Sequence, residues 1–232
     1  MKTIRPIAAV CAAAMLLLTA CGQGGNQSAK KNDPDNLVGG GAVIDYTEED
    51  LPYGSTLVMD SEHTITAQYD RRYVEGGAVD VMIRYYTAIR NKNADEFHAV
   101  QFPLFNDFML NSVLKGEYTD AEIVENTYNG YKSYNNGVDF DFAFLDVTSC
   151  QRVTVETVFE TYNTPIVGLM DSLAAEKNET PVSERVQDFY RLTVKRYLTN
   201  AASGVRNETD IYLNDEILYV LKDGGSWYII YS

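Results

Sequence analysis

Few side chains in this sequence are of a type and spacing that could carry out chemistry. There are two histidines, His63 and His98, in well-separated stretches. A metal-binding or catalytic histidine usually has a partner at a fixed offset, such as i+4 on a helix, and neither has one. His98 lies close to Asp95 in a polar stretch and is expected on the surface. No metal ligand and no cofactor site is expected from this pattern. Asp139 and Asp141 are i, i+2 neighbours whose side chains would stand about 7 Å apart on one strand face. If that face lined an enclosed pocket, desolvation and mutual repulsion would raise one of the pair towards a working base. Facing solvent, opposite a row of phenylalanines, they would do nothing of the kind, and the alternation favours that arrangement. Tyrosine is abundant, at 17 residues. Tyr85, Tyr86, Tyr190 and Tyr228 form a candidate lining for an apolar or aromatic ligand pocket, although core packing would account for the same residues. There is no Gly-x-Ser-x-Gly elbow, no phosphate-binding glycine loop and no Cys-x-x-Cys pair. Asp33 and Asp35 flank Pro34 without the glycine or the terminal glutamate of a calcium loop. No residue is assigned a catalytic role.

The most specific chemistry lies near the N-terminus. Lys2 and Arg5 precede an apolar run from Ile7 to Leu18, the length of a signal h-region and short of the ~20 residues needed to cross a bilayer. Leu18-Thr19-Ala20-Cys21 follows and resembles the bacterial lipobox. The resemblance implies cleavage before Cys21, diacylglyceryl attachment to its thiol and further acylation of the palmitate type. More than one acyl chain is needed for stable anchoring. Residues 1–20 are then a signal peptide, and the chain is expected on the outer face of the cell membrane, or on the outer membrane if the cell has two. The membrane is its expected partner through that covalent lipid.

Charge and cysteine content fit such an anchor. The full chain has 19 basic and 33 acidic residues, and the signal holds two of the basic ones, so 17 against 33 leaves the mature chain at −16. That balance argues against nucleic acid and against electrostatic docking on anionic lipid. Cys11 leaves with the signal and Cys21 is acylated, so Cys150 has no partner for an intrachain disulfide. It reads more readily as a small buried hydrophobe than as a reactive thiol.

These residues must be positioned by a folded unit that begins after a tether. Residues 21–50 are rich in Gly, Asn, Gln, Lys and Asp, including Gly22-Gln23-Gly24-Gly25 and Gly39-Gly40-Gly41. Too little apolar material is present to offset the entropy of ordering. A tether of ~28 such residues has a reach on the order of 30 Å. Residues 51–232 suit one domain. Thr56 to Met59 and Thr64 to Gln68 suggest a hairpin. Val79, Met82, Tyr86 and Ile89 make one apolar stripe on a helix over 77–90. Asn93 followed by Glu96 has the form of a helix start, and further helices are expected over 103–114 and 121–134. Val138, Phe140, Phe142 and Phe144 alternate as one strand face. Pro165 suits the first position of another helix. Three strands close the chain, with Tyr190, Leu192, Val194 and Leu198 on one face of the first. Asp223-Gly224-Gly225-Ser226 turns between the last two.

The plan is α+β, with N-terminal helices packed on a curved antiparallel sheet. The run Val81 to Phe97, a helix, a polar turn and then Ala-Asp-x-Phe, resembles the NTF2-like (cystatin-like cone) superfamily. So does the ending Leu221 to Ile229. Members of that superfamily are either enzymes with an acid–base group inside the cone or non-catalytic binding modules. No catalytic motif of the enzymes maps onto a position here. The expected function is therefore a membrane-anchored, extracytoplasmic binding or association module of the cell envelope, with an envelope protein, wall polymer or small ligand as partner. The alternative is a small lyase or isomerase using pocket carboxylates. A cone filled with side chains favours the module, and an open cone with convergent polar groups favours the enzyme.

Overall fold

A computed structural model describes residues 47–60, 63, 65–200 and 211–231. Cys21, the signal segment and most of the expected tether lie outside the described residues, as does the loop between the last two long strands. Residues Asp45–Ser232 form one compact unit. In chain order its elements are β1 (Leu57–Asp60), β2 (Ala67–Asp70), α1 (Gly76–Arg90), α2 (Ala94–Val100), α3 (Pro103–Phe108), α4 (Asp120–Tyr134), β3 (Phe140–Arg152), β4 (Val158–Phe159), β5 (Thr164–Pro165), α5 (Ile166–Glu176), α6 (Val182–Arg185), β6 (Asp188–Asn200), β7 (Ile211–Asp223) and β8 (Ser226–Tyr231).

Six strands form one sheet in the order β1-β2-β3-β6-β7-β8. All neighbours are antiparallel except β2 and β3, which run parallel through Ala67↔Leu145 and Gln68↔Asp146. The α+β plan and the closing three-strand meander expected from the sequence are present. The parallel contact is what ties the N-terminal hairpin to the main sheet.

α1 lies at the centre of the unit. Nine of its 15 residues are buried, and its exposed positions are Gly76, Asp80 and Arg84, a single line at four-residue spacing. The sheet packs on one side of it and α2 and α4 on the other, so nearly its whole circumference is apolar. The expected cap at Asn93 forms, with its side chain accepting from the Glu96 backbone N–H at 3.1 Å. α4 opens with a reciprocal cap between Thr119 and Glu122. At the β7–β8 turn both Gly224 and Gly225 have positive φ, 58° and 86°, the two left-handed positions that a tight hairpin requires.

The sheet is covered on both faces. Leu192, Val194, Leu198, Leu218, Val220 and Ile229 join α1, α2 and α4 in the first core. Phe189, Tyr219, Leu221 and Ile230, the alternate residues, join α3, α5 and α6 in a second. This explains the unbroken apolar run Ile217 to Leu221, since a strand buried on both sides need not alternate with polar residues. The stretch from Gln151 to Arg185, which the cone resemblance does not cover, supplies much of that second layer.

Three local expectations are corrected. The row Val138, Phe140, Phe142, Phe144 does not hold together. Phe140 and Phe142 enter the first core, but a bulge follows Phe142. Leu145 and Val147 continue the inner face in its place, and Phe144 instead packs on Tyr197. Val138 stays exposed. Pro165 sits just before α5 as its N-cap and pairs in a short bridge, because Ile166 donates its N–H to Thr157. The last residues assigned to the tether, 48–50, belong to the folded unit. Arg72 donates to the carbonyls of Glu48, Leu51 and Pro52 and pairs with fully buried Asp70 at 2.7 Å. Asp70 also accepts from Gly54 N–H and Thr56 hydroxyl at 2.8 and 2.9 Å. One guanidinium fork and one carboxylate thus fix the chain where it enters the fold.

Candidate functional site

The polar centre of the helix-facing core is built from residues far apart in sequence. Arg196 on β6 and Glu216 on β7 both project towards α1 and α4. They occupy positions where the alternation of Val194, Leu198, Leu218 and Val220 calls for apolar residues. A bulge between Val194 and Arg196 lets both Leu213 and Glu216 face inward despite their three-residue spacing. Arg196 and Glu216 are 2.8 Å apart, with side chains 13% and 17% exposed. Glu216 Oε2 also accepts from the Tyr86 hydroxyl at 2.6 Å and the Tyr131 hydroxyl at 3.3 Å. Arg196 donates to the Tyr131 oxygen at 2.7 Å and lies over that ring, 5.5 Å from its centroid.

Aromatic rings enclose this centre. Tyr86 meets Tyr85 and Phe142 edge-on at 5.2 and 5.0 Å, and Tyr131 meets Phe140 and Phe142 at 5.5 and 5.2 Å. Burial, with the Glu216 charge adding to it, holds the Tyr86 and Tyr131 hydroxyls well above their ordinary range. They stay protonated and act as donors. Glu216 Oε2 is thus shared by one guanidinium and two hydroxyls, and the Arg196 and Glu216 charges offset each other. The sequence carried a signal for this set: two opposite charges at core-facing positions of adjacent strands.

The candidate carboxylates Asp139 and Asp141 do not act as a pair. Asp139 precedes β3 and accepts from Lys132 at 2.7 Å and Tyr128 at 2.8 Å, which hold its carboxyl below the usual range. Asp141 accepts from Arg90 at 2.9 Å and from the Phe142 backbone. Each is committed to a different helix, as expected for charges outside the core.

The four tyrosines do not line one pocket. Tyr85 and Tyr86 are buried in the first core. Tyr190 donates to Asp188 at 3.1 Å and stacks on Trp227 with ring centroids 6.0 Å apart. Tyr228 packs on Phe102 in the second core. Tyr228 and Trp227 do border a surface cleft of about 360 Å³ together with Gly77, Asp80, Arg84 and Ala99. Gly77 is required there, because a Cβ at that position would lie 2.4 Å from the Trp227 indole nitrogen.

Neither histidine is isolated. His98 Nδ1 lies 2.7 Å from Asp120 at the start of α4, with Asn106 of α3 at 3.0 Å, so it joins three helices at their ends. His63 sits between Asp60 and Asp80, at 3.0 and 3.1 Å. Among the described residues this is the group whose donor atoms lie close enough together to hold a metal ion. The sequence showed no fixed offset because its members come from β1, the hairpin turn and α1. Cys150 lies against the first core and donates to the Tyr73 carbonyl at 3.2 Å. Burial pushes its thiol up to about 12, so it is inert at neutral pH.

No family model, no curated protein and no solved structure matches this chain. No helix among the described residues is long and apolar enough to cross a membrane.

Proposed function

We propose that the chain is an exported lipoprotein, held at a membrane through Cys21, whose domain is a non-catalytic binding or association module on an NTF2-like plan. The observation that carries the non-catalytic part is the closed polar centre. Glu216 is matched by Arg196, Tyr86 and Tyr131, and Asp139 and Asp141 are held by Lys132 and Arg90. A lyase or isomerase needs a carboxylate left able to take a proton from its substrate, and these three are already engaged. One concave feature among the described residues is the cleft bordered by Trp227, Tyr228, Asp80 and Arg84, an aromatic wall with one charge of each sign, which suits a polar ligand with an apolar face. The lipobox residues carry the anchoring part.

Two experiments test the reading. A thermal-shift screen of lipids, peptides and glycans should find a stabilising ligand class whose effect is lost in Trp227→Ala. A screen without a stabilising condition rejects binding at the cleft. Metabolic labelling with an acyl-chain probe should mark the wild type and not Cys21→Ala; label retained on the variant rejects the anchor.

A further inference from the structure

We propose that Asp60, His63 and Asp80 form a binding site for a divalent transition-metal ion of the zinc class. This inference is independent of the functional reading above. The three side chains come from the end of β1, the β1–β2 turn and the exposed line of α1, and their donor atoms all lie within 4.8 Å of one another. In a tetrahedral shell with bonds of about 2.0 Å, neighbouring ligand atoms stand roughly 3.3 Å apart. The observed spacing needs closure of up to about 1.5 Å. One imidazole and two carboxylates are a nitrogen–oxygen donor set of the kind zinc and its neighbours accept. Calcium and magnesium prefer six or more oxygens.

The His63 ring is flanked by both carboxylates. His63 presents Nδ1 to Asp60 at 3.0 Å and Nε2 to Asp80 at 3.1 Å. A neutral imidazole has one N–H, so one nitrogen lone pair faces a carboxylate. In that neutral form the lone pair is available as a metal ligand. Both carboxylates act on the same small region, since the nearby Tyr69 hydroxyl is raised by its burial and then by the charges of Asp60 and Asp80. Asp80 also borders the Trp227 cleft, so an ion held here would lie at that cleft's margin.

The test uses the full chain in detergent micelles, stripped with chelator and dialysed. Zinc titration by calorimetry should show saturable binding of one ion per chain, and cobalt should give the visible absorption of a low-coordinate site. Calcium should not saturate. His63→Ala and Asp80→Asn should each weaken zinc binding by at least about tenfold, while Asp95→Asn, on α2, leaves it unchanged. The Asp80 side chain is 53% exposed, so its replacement preserves the fold, as far-ultraviolet circular dichroism will verify. Absence of saturable zinc binding in the wild type overturns the proposal. So does wild-type affinity in either variant.

Discussion

Replacing Arg196 with Met tests whether the polar centre holds the fold together. The substitution keeps an apolar stem of similar length and removes the guanidinium. Glu216 then retains the Tyr86 and Tyr131 hydroxyls at 2.6 and 3.3 Å but loses its countercharge. Removing one partner of a buried pair costs roughly 3–5 kcal/mol, because a charge is left desolvated and unpaired. The lower end applies here, since the two side chains keep 13% and 17% exposure and two neutral donors remain; about 3 kcal/mol is expected. In a domain of this size each kcal/mol lowers Tm by roughly 2–4 °C, so the drop should be about 6–12 °C. Glu216→Met should cost a similar amount by stranding Arg196. The double variant removes both charges and should cost less than the two single variants together, by at least ~1 kcal/mol. Urea unfolding at neutral pH, followed by circular dichroism and by fluorescence of the single tryptophan Trp227, measures all three. A cost below about 1 kcal/mol for Arg196→Met, or strict additivity in the double variant, refutes the reasoning.

Three further outcomes follow from the same physical arguments. The Arg72 guanidinium, with the Gly54 and Thr56 donors, holds Asp70 below its unfolded pKa of about 3.9. Its stabilisation is therefore complete above that value and is lost as pH falls through the lower, folded one. Asp70→Asn should cost roughly 3 kcal/mol at pH 7 and flatten the acid limb of a stability–pH curve; an unchanged limb counts against this assignment. Cys150, with its thiol pushed up to about 12 by burial, should react with a thiol reagent at pH 8 at least about tenfold more slowly in the folded chain than in urea, and equal rates would show the thiol to be accessible. Gly77→Ala gains up to ~1 kcal/mol of helix propensity but drives a methyl group into Trp227. A net loss of about 1–3 kcal/mol with a shifted Trp227 emission is expected, and a stabilised variant with unchanged emission would contradict the packing.

Local sequence was enough for the features that depend on a few neighbouring residues. The stripe of α1, the Asn93 cap, the β7–β8 turn and the closing meander could all be read there, because periodicity, capping and glycine turns act over fewer than about ten residues. The α+β class followed from the order of these elements. The site was less legible. Asp139 and Asp141 read correctly as outward charges from their alternation with phenylalanines. Tyr85, Tyr86, Tyr190 and Tyr228 looked like one lining but divide among the interior of the first core, the Trp227 stack and the second core.

Tertiary structure decided the rest, for a common physical reason. A strand's side chains change face with every single-residue shift in register, and the β3–β6 and β6–β7 pairings carry three such shifts. One follows Phe142 and sends Phe144 away from the first core; another, beside Arg196, brings Leu213 to the inner face alongside Glu216. The segment Gln151 to Arg185 has no pattern that says which surface it covers until the sheet exposes a second apolar face. His63 meets Asp80, and Tyr86 meets Glu216, only once α1 is laid across the sheet. Local sequence therefore determined what the elements are and where most of them begin, while the register of β3, β6 and β7 decided which charged side chains meet inside.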